Sequence, residues 1–286
     1  MKKTTMLRGL LAKGKIIVAP AAYDCTSAII IEKLGFDAVF LSGFSLSASL
    51  LGNPDIGTET RTETVTLARN VAASVDIPVF VDASSGYGGP LSVYQTIQEL
   101  ERAGVAGCFI EDQAFPPICP FIGTPNVISK EEFLPKLRAA LDAREDKDFV
   151  VIARTDAAAT LGVEEALKRG KAYREAGADA ILPTAGMPRD KEGLRQFIDA
   201  LKAPVMVPPS WDLGLTVKDY EEIGVNILSG MEAIFAAAKA VEVIYSELRT
   251  TGFVKEEYCH KQAIPEFAKL LKLEKWTDLD KKYRLP

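Results

Sequence analysis

Along the chain, short continuous apolar runs alternate with stretches whose apolar residues recur every three or four positions. The first pattern belongs to a strand buried on both faces, the second to an amphipathic helix. KIIVAP (15–20) is followed by the helical TSAIIIEKLG (26–35), and DAVFLSG (37–43) by TRTETVTLARNVAASV (60–75). IPVFVDA (77–83) precedes SVYQTIQELERAG (92–104), GCFIED (107–112) precedes KEEFLPKLRAALDAR (130–144), and FVVIART (149–155) precedes VEEALKRGKAYREAG (163–177). The last units pair DAILPT (179–184) with KEGLRQFIDAL (191–201), PVMVPP (204–209) with VKDYEEIG (217–224), and NILSG (226–230) with AIFAAAKAVEVIYSELRTTG (233–252). Gly35, Gly104, Gly177 and Gly224 each stand between a helix and the next strand, where a left-handed residue closes the helix. Eight strand-helix units predict an α/β chain of the (β/α)8 barrel class, since an open doubly wound sheet usually uses five or six strands. The barrel domain is expected over 1–252, and 253–286 as a C-terminal helical extension for oligomer contact, whose Tyr258, Phe267 and Trp276 serve intersubunit or core packing rather than a second site.

Composition narrows the function. The 286 residues carry 34 Lys+Arg against 39 Asp+Glu, a net charge of −5, and no basic stripe, which disfavours nucleic acid as a partner. No run approaches ~18 apolar residues and the N-terminus is too polar for a signal peptide, so a cytoplasmic protein without membrane contact is expected. Cys25, Cys108, Cys119 and Cys259 show neither CxxC pairing nor disulfide-scaffold spacing and are expected as reduced, mostly buried thiols. His260 is the only histidine, so histidine-rich metal sites are excluded. No nucleotide P-loop and no G-x-S-x-G elbow occurs.

In a (β/α)8 barrel the site lies at the C-terminal ends of the strands. Those ends carry Tyr23 and Asp24, Ser42 and Gly43, Asp82 and Ser84, Glu111 and Asp112, Arg154 and Asp156, Thr184, Pro208 to Asp212, and Ser229. Neighbouring strands lie about 4.8 Å apart, so Asp82 and Glu111 can converge, and two such carboxylates need a cation or a shared proton. An all-oxygen cluster suits Mg2+ or Mn2+ held with several waters, with Arg154 placed to grip a substrate carboxylate. The other reading of Asp82, Glu111 and Arg154 is an internal ion-pair ring. Ser42-Gly43 and the glycines 86, 88 and 89 either offer amides to an anion or are turns.

The ordered segments P-A-A-Y-D (20–24), L-S-G (41–43), G-N-P-D (52–55), V-D-A-S-S-G-Y-G (81–88), I-E-D-Q (110–113) and A-R-T-D-A (153–157) resemble the phosphoenolpyruvate mutase/isocitrate lyase superfamily over essentially the whole chain. That resemblance implies a Mg2+-dependent barrel acting on 2-oxo or 2-hydroxy acids through a pyruvate-like enolate. It also implies a homotetramer built from dimers that exchange their C-terminal helices. By position, Asp82 would ligate Mg2+ and Asp55 and Glu111 would hold its waters, while Ser42, Gly43 and Arg154 would bind the substrate carboxylate and Tyr23 would line the pocket.

Departures from the family pattern shape the rest. The usual Asp-x-Asp after the third strand ends here in Ser84, so one carboxylate near the metal is missing. The carbon-carbon lyases carry Lys-(Lys/Arg)-Cys-Gly-His after the fourth strand; here the stretch is P-P-I-C-P-F (116–121), with Cys119 as candidate acid or as an inert loop residue. E-D-Q-A-F-P (111–116) and V-P-P-S (207–210, ending in Ser210) resemble the phosphonopyruvate-processing branch, yet Pro117 replaces its lysine and no cation occurs between Glu111 and Lys130. The expectation is a lyase of the 2-methylisocitrate or dimethylmalate type, with Thr184 and Ser210 among the substrate contacts. The alternatives are a phosphonopyruvate mutase or hydrolase, an oxaloacetate decarboxylase or hydrolase, or an idle relative that binds or scaffolds.

Overall fold

The computed structural model describes residues 1–258 and 260–284. Its first compact unit, Met1–Met231, holds every strand: β1 Ile17–Val18, β2 Ala21–Ala22, β3 Val39–Leu41, β4 Val79–Asp82, β5 Gly107–Glu111, β6 Val150–Thr155, β7 Ala180–Pro183, β8 Met206–Val207 and β9 Ile227–Leu228. The named strands all pair in parallel, in the orders β2-β3-β4-β5-β6-β7 and β1-β9-β8. Two links join these sheets. β1 and β2 are one run broken at Ala19-Pro20, bonding β9 below the break and β3 above it, and the bridge Ile181↔Val205 ties β7 to β8. The Ala21 amide donates to Gly230 O at 2.9 Å and the Ile181 amide to Pro204 O at 2.9 Å, which closes an eight-stranded (β/α)8 barrel.

The strands are apolar throughout because one face fills the barrel and the other receives helices. Phe40 stacks on Phe80 at 5.2 Å and lies 5.6 Å from Phe109, in a core completed by Ile152, Leu182, Met206 and Ile227. Gly35, Gly104, Gly177 and Gly224 follow their helices with φ of 86°, 83°, 111° and 97°, the left-handed closure expected of them. A helix absent from the sequence reading, Lys3–Ala12, inserts Leu7 into the core and ties Arg8 to Asp179 at 2.9 Å, just before β7. It therefore sits at the N-terminal face of the barrel, opposite the strand ends that carry the candidate site.

The second unit, Glu232–Pro286, contains the helices Glu232–Thr251, Ala263–Leu270 and Leu273–Tyr283, none of which has a buried residue. The apolar pattern predicts the first of these helices within the barrel domain, whereas the structure groups it with the C-terminal helices. Tyr258, Phe267 and Trp276 are all exposed, and His260 lies 3.7 Å from Glu266. Cys25, Cys108 and Cys119 are free thiols, the last two buried; Cys259 lies outside the described residues. Among the described residues no helix is long and apolar enough to cross a membrane.

Candidate active site

Parallel register sets the charged floor of the site. Glu111 stands opposite Arg154 on β6, and Asp82 opposite Phe109 on β5. Arg154 lies over the Phe109 ring at 5.5 Å and contacts Glu111 at 3.0 Å and Asp156 at 3.1 Å, with Asp82 at 3.9 Å. The internal ion-pair ring weighed from sequence is therefore present. It does not use up the guanidinium, whose five donors exceed these contacts. Asp82 is oriented by two backbone amides, Ser84 N–H to Oδ1 at 2.8 Å and Gly43 N–H to Oδ2 at 3.2 Å. Gly43 is required by that approach, because a Cβ there would lie 2.8 Å from Asp82 Oδ2.

Behind the floor, Asp112 accepts from Thr155, Arg169 and Tyr173 at 2.8, 3.0 and 2.9 Å and from the Asp156 amide at 3.0 Å. Asp156 receives Gln113 Nε2 at 2.7 Å and the Thr184 hydroxyl. Gln113 also clamps the backbone of Ile118 in both directions, at 3.1 and 3.0 Å, so this buried network pins the loop that carries Cys119. The Cys119 amide then donates to Asp55 O at 3.0 Å, and Pro116 and Pro117 pack against Gly57 so closely that a Cβ there would lie within 2.9 Å of both.

The structure brings Asp55, Asp82, Ser84, Glu111, Cys119 and Arg154 to one pocket, with Glu59 as a member that sequence reasoning missed. Glu59 stands in a loop without periodicity, and only burial to 6% exposure marks it out. Burial raises these carboxyls: Asp82 is pushed up to about 7, Glu111 well above its ordinary range, and Asp55 to about 6, where the charge of Glu59 adds to the effect. Burial likewise pushes the Cys119 thiol up to about 11, while its hydrogen bond to Asp55 favours the ionised carboxylate there.

Beside this pocket the barrel mouth is apolar, lined by Phe44, Phe109, Pro120, Phe121, Met206 and Met231, and Asp55, Asp82, Cys119 and Arg154 belong to both walls. Ser42 lines the mouth with its hydroxyl 3.1 Å from Met231 Sδ. Thr184 lines the mouth and also an adjoining cavity of about 410 Å3, which holds Ser210 and Arg189. Ser210 thus lies in that neighbouring cavity, outside the carboxylate pocket. Tyr23 is half-buried and lines neither, with its amide 3.1 Å from the Ser27 hydroxyl. Gly86 and Tyr87 adopt φ of 80° and 57°, and the Gly86 amide donates back to Ala83 O at 2.9 Å, so this glycine stretch is a turn.

The donor set suits a hard cation that keeps much of its water. It is all oxygen apart from one thiol, and four carboxylates, Asp55, Glu59, Asp82 and Glu111, face a single guanidinium. Among the described residues no three acidic, cysteine or histidine side chains converge tightly enough to cage an ion directly.

The phosphoenolpyruvate phosphomutase family model matches residues 7–249. The chain is 36% identical to 2,3-dimethylmalate lyase of Eubacterium barkeri, over 99% of both chains. Phosphonopyruvate hydrolase in complex with oxalate and Mg2+ superimposes with a TM-score of 0.90 at 33% identity, over 99% of both chains. Oxaloacetate acetylhydrolase in complex with 3,3-difluorooxalacetate superimposes with a TM-score of 0.90 at 30% identity, over 98% of this chain and 97% of that one. These relatives are lyases and hydrolases, and the Mg2+ complex shows that a member of the group takes this ion at the fold shared here. The chain belongs to the phosphoenolpyruvate mutase/isocitrate lyase superfamily.

Proposed function

We propose that the chain is a Mg2+-dependent lyase that splits the carbon-carbon bond of a small 2-hydroxy acid bearing an apolar substituent and releases pyruvate or a close relative. The observation that carries this reading is the placement of Cys119, which lines both the carboxylate pocket and the apolar mouth and keeps its proton, with a pKa raised by burial to about 11. A thiol held protonated is an acid rather than a nucleophile. Asp82 would hold Mg2+, with Asp55 and Glu111 on its waters; when bound, the ion would neutralise charge on the substrate oxygens. Arg154 and Ser42, which line the mouth, would bind the substrate carboxylate, and Gly43, whose amide donates to Asp82, would fix the metal-side carboxylate beside it.

In the bond-breaking step the 2-hydroxyl proton passes to the carboxylate pocket and C2 becomes the carbonyl of the 2-oxo acid. The C2–C3 electron pair moves onto C3 and is taken up as an enolate by the carboxylate that C3 bears in both test substrates, and C3 then takes the Cys119 proton as that enolate collapses to the second carboxylic acid. The test is incubation of 2,3-dimethylmalate and 2-methylisocitrate with Mg2+, followed by pyruvate detection through a coupled dehydrogenase. Pyruvate that disappears with Cys119→Ser supports the reading. Phosphate from phosphonopyruvate, or oxalate from oxaloacetate, without pyruvate from either hydroxy acid would overturn it.

A hydrolase of oxaloacetate is the second reading, favoured by Asp55, which touches both pockets and titrates at about 6, suited to a base that activates water. An idle relative is the third, and turnover of any 2-oxo or 2-hydroxy acid that vanishes in Asp82→Ala would reject it. The exposed aromatics of the C-terminal helices fit a homotetramer of helix-exchanging dimers, which sedimentation would resolve from a monomer.

A further inference from the structure

We propose that Glu59 takes over the role of the carboxylate absent at Ser84, holding the water shell of the metal from a different segment of the same pocket. The inference rests on the metal-dependent reading above and concerns what keeps that metal in place.

Glu59 and Ser84 line the same pocket as Asp55, Asp82 and Glu111, and each is only 6% exposed. At position 84 the backbone amide faces the metal-site carboxylate, donating to Asp82 Oδ1 at 2.8 Å, and the side chain brings a neutral hydroxyl. Glu59 brings a charge. Its Oε2 accepts from Ser47 Oγ at 2.9 Å, which fixes the carboxylate without neutralising it. A glutamine would accept that hydrogen bond equally well, so the bond alone does not account for an acid at 59. Four carboxylates line the pocket against Arg154 alone, and Arg154 is also in contact with Asp156. Buried like charges of this number are sustained by a cation, and a hydrated divalent ion is bound through outer carboxylates as well as inner ones. The segment bearing Glu59 is fixed for the task. Thr60 caps the helix Arg61–Ser74, and Gly57, two residues before Glu59, lies against Pro116 and Pro117 of the loop that holds Cys119.

The geometry also says which exchange should succeed. Ser84 has φ of 54°, a left-handed conformation that aspartate adopts more readily than most residues, so Ser84→Asp can be accommodated. Titrating Mn2+ and following free ion by electron paramagnetic resonance measures affinity without turnover. Glu59→Gln is expected to weaken Mn2+ binding about 10- to 100-fold. Glu59→Gln combined with Ser84→Asp should return to within about threefold of the native affinity, since the pocket keeps the same number of carboxylates. Thermal melts establish that each variant is folded, and if Glu59→Gln alone does not fold, the double variant decides. Native affinity in folded Glu59→Gln, or loss of binding in a folded double variant, overturns the proposal. A native protein that binds no Mn2+ overturns the metal-dependent reading with it, whereas binding that ignores Glu59 leaves that reading intact.

Discussion

The two halves of the barrel mouth differ in kind. The ends of β3 to β6 supply Gly43, Asp82, Glu111 and Arg154, a charged surface held by backbone amides and ion pairs. The ends of β7 to β9 contribute Leu182, Met206, Pro208 and Ser229 to the mouth and open into a mostly apolar cavity of about 410 Å3. Under the proposed function one half would bind the acid and the cation whatever the rest of the substrate is. The other half can only sort substrates by shape and apolar surface.

The largest effect should come from the charged half. Arg154→Ala removes the cation from Glu111 and Asp156, both nearly fully buried, and is expected to destabilise the fold by about 3–5 kcal/mol and to lower turnover by about 10³ or more. Urea unfolding and a coupled assay measure the two separately. A folded variant with near-native turnover would break the comparison, since Arg154 would then belong to the scaffold only. Next is Cys119, which stands at the border. Cys119→Ser should lower kcat about 10²- to 10⁴-fold and leave KM within a few-fold, the mark of a proton donor used after binding. Loss confined to KM would move Cys119 into the apolar half.

The apolar half should respond less and differently. Phe121 is 62% exposed yet lines both the mouth and the neighbouring cavity, so Phe121→Ala should leave the melting temperature almost unchanged. It should change kcat/KM about 10- to 100-fold between substrates that differ in their apolar substituent. Equal loss for all substrates would show that the wall excludes water rather than selects shape.

How far the sequence reached follows the same border. The strands and their following helices were readable because a buried parallel sheet forces continuous apolar runs and each left-handed closure calls for glycine, as at Gly35 and Gly224. The charged floor was readable because the barrel rule puts Asp82, Glu111 and Arg154 at strand ends. Glu59 was not, since it lines the pocket together with Pro117, Ile118 and Cys119 of the loop after β5, segments far apart in sequence. Tyr23 follows a strand end as expected, but chain position alone does not say which way a side chain turns, and it lines neither pocket. The helix Lys3–Ala12 was missed because Leu7, Leu10 and Leu11 are a short stripe diluted by Lys and Arg.

The smallest effect tests the charged half without a mutation. Asp82 titrates at about 7 and Asp55 at about 6, both above the 3.8 of an unperturbed aspartate, because burial penalises the charged form. Between those values the folded protein binds more protons than the unfolded chain, so these groups lend stability below pH 4 that is lost as pH rises through 6 and 7. In the metal-free protein their contribution should therefore lower the melting temperature by a few degrees between pH 5.5 and 8. On the proposed function Mg2+ would bind the ionised carboxylates and act in the opposite sense, raising the melting temperature more at pH 8 than at pH 5.5. Differential scanning calorimetry with Mg2+ or with chelator at the two pH values measures both. A Mg2+ increment that is equal at the two values would place the ion away from Asp55 and Asp82, and the division between a charged, cation-binding half and an apolar, selecting half would no longer hold.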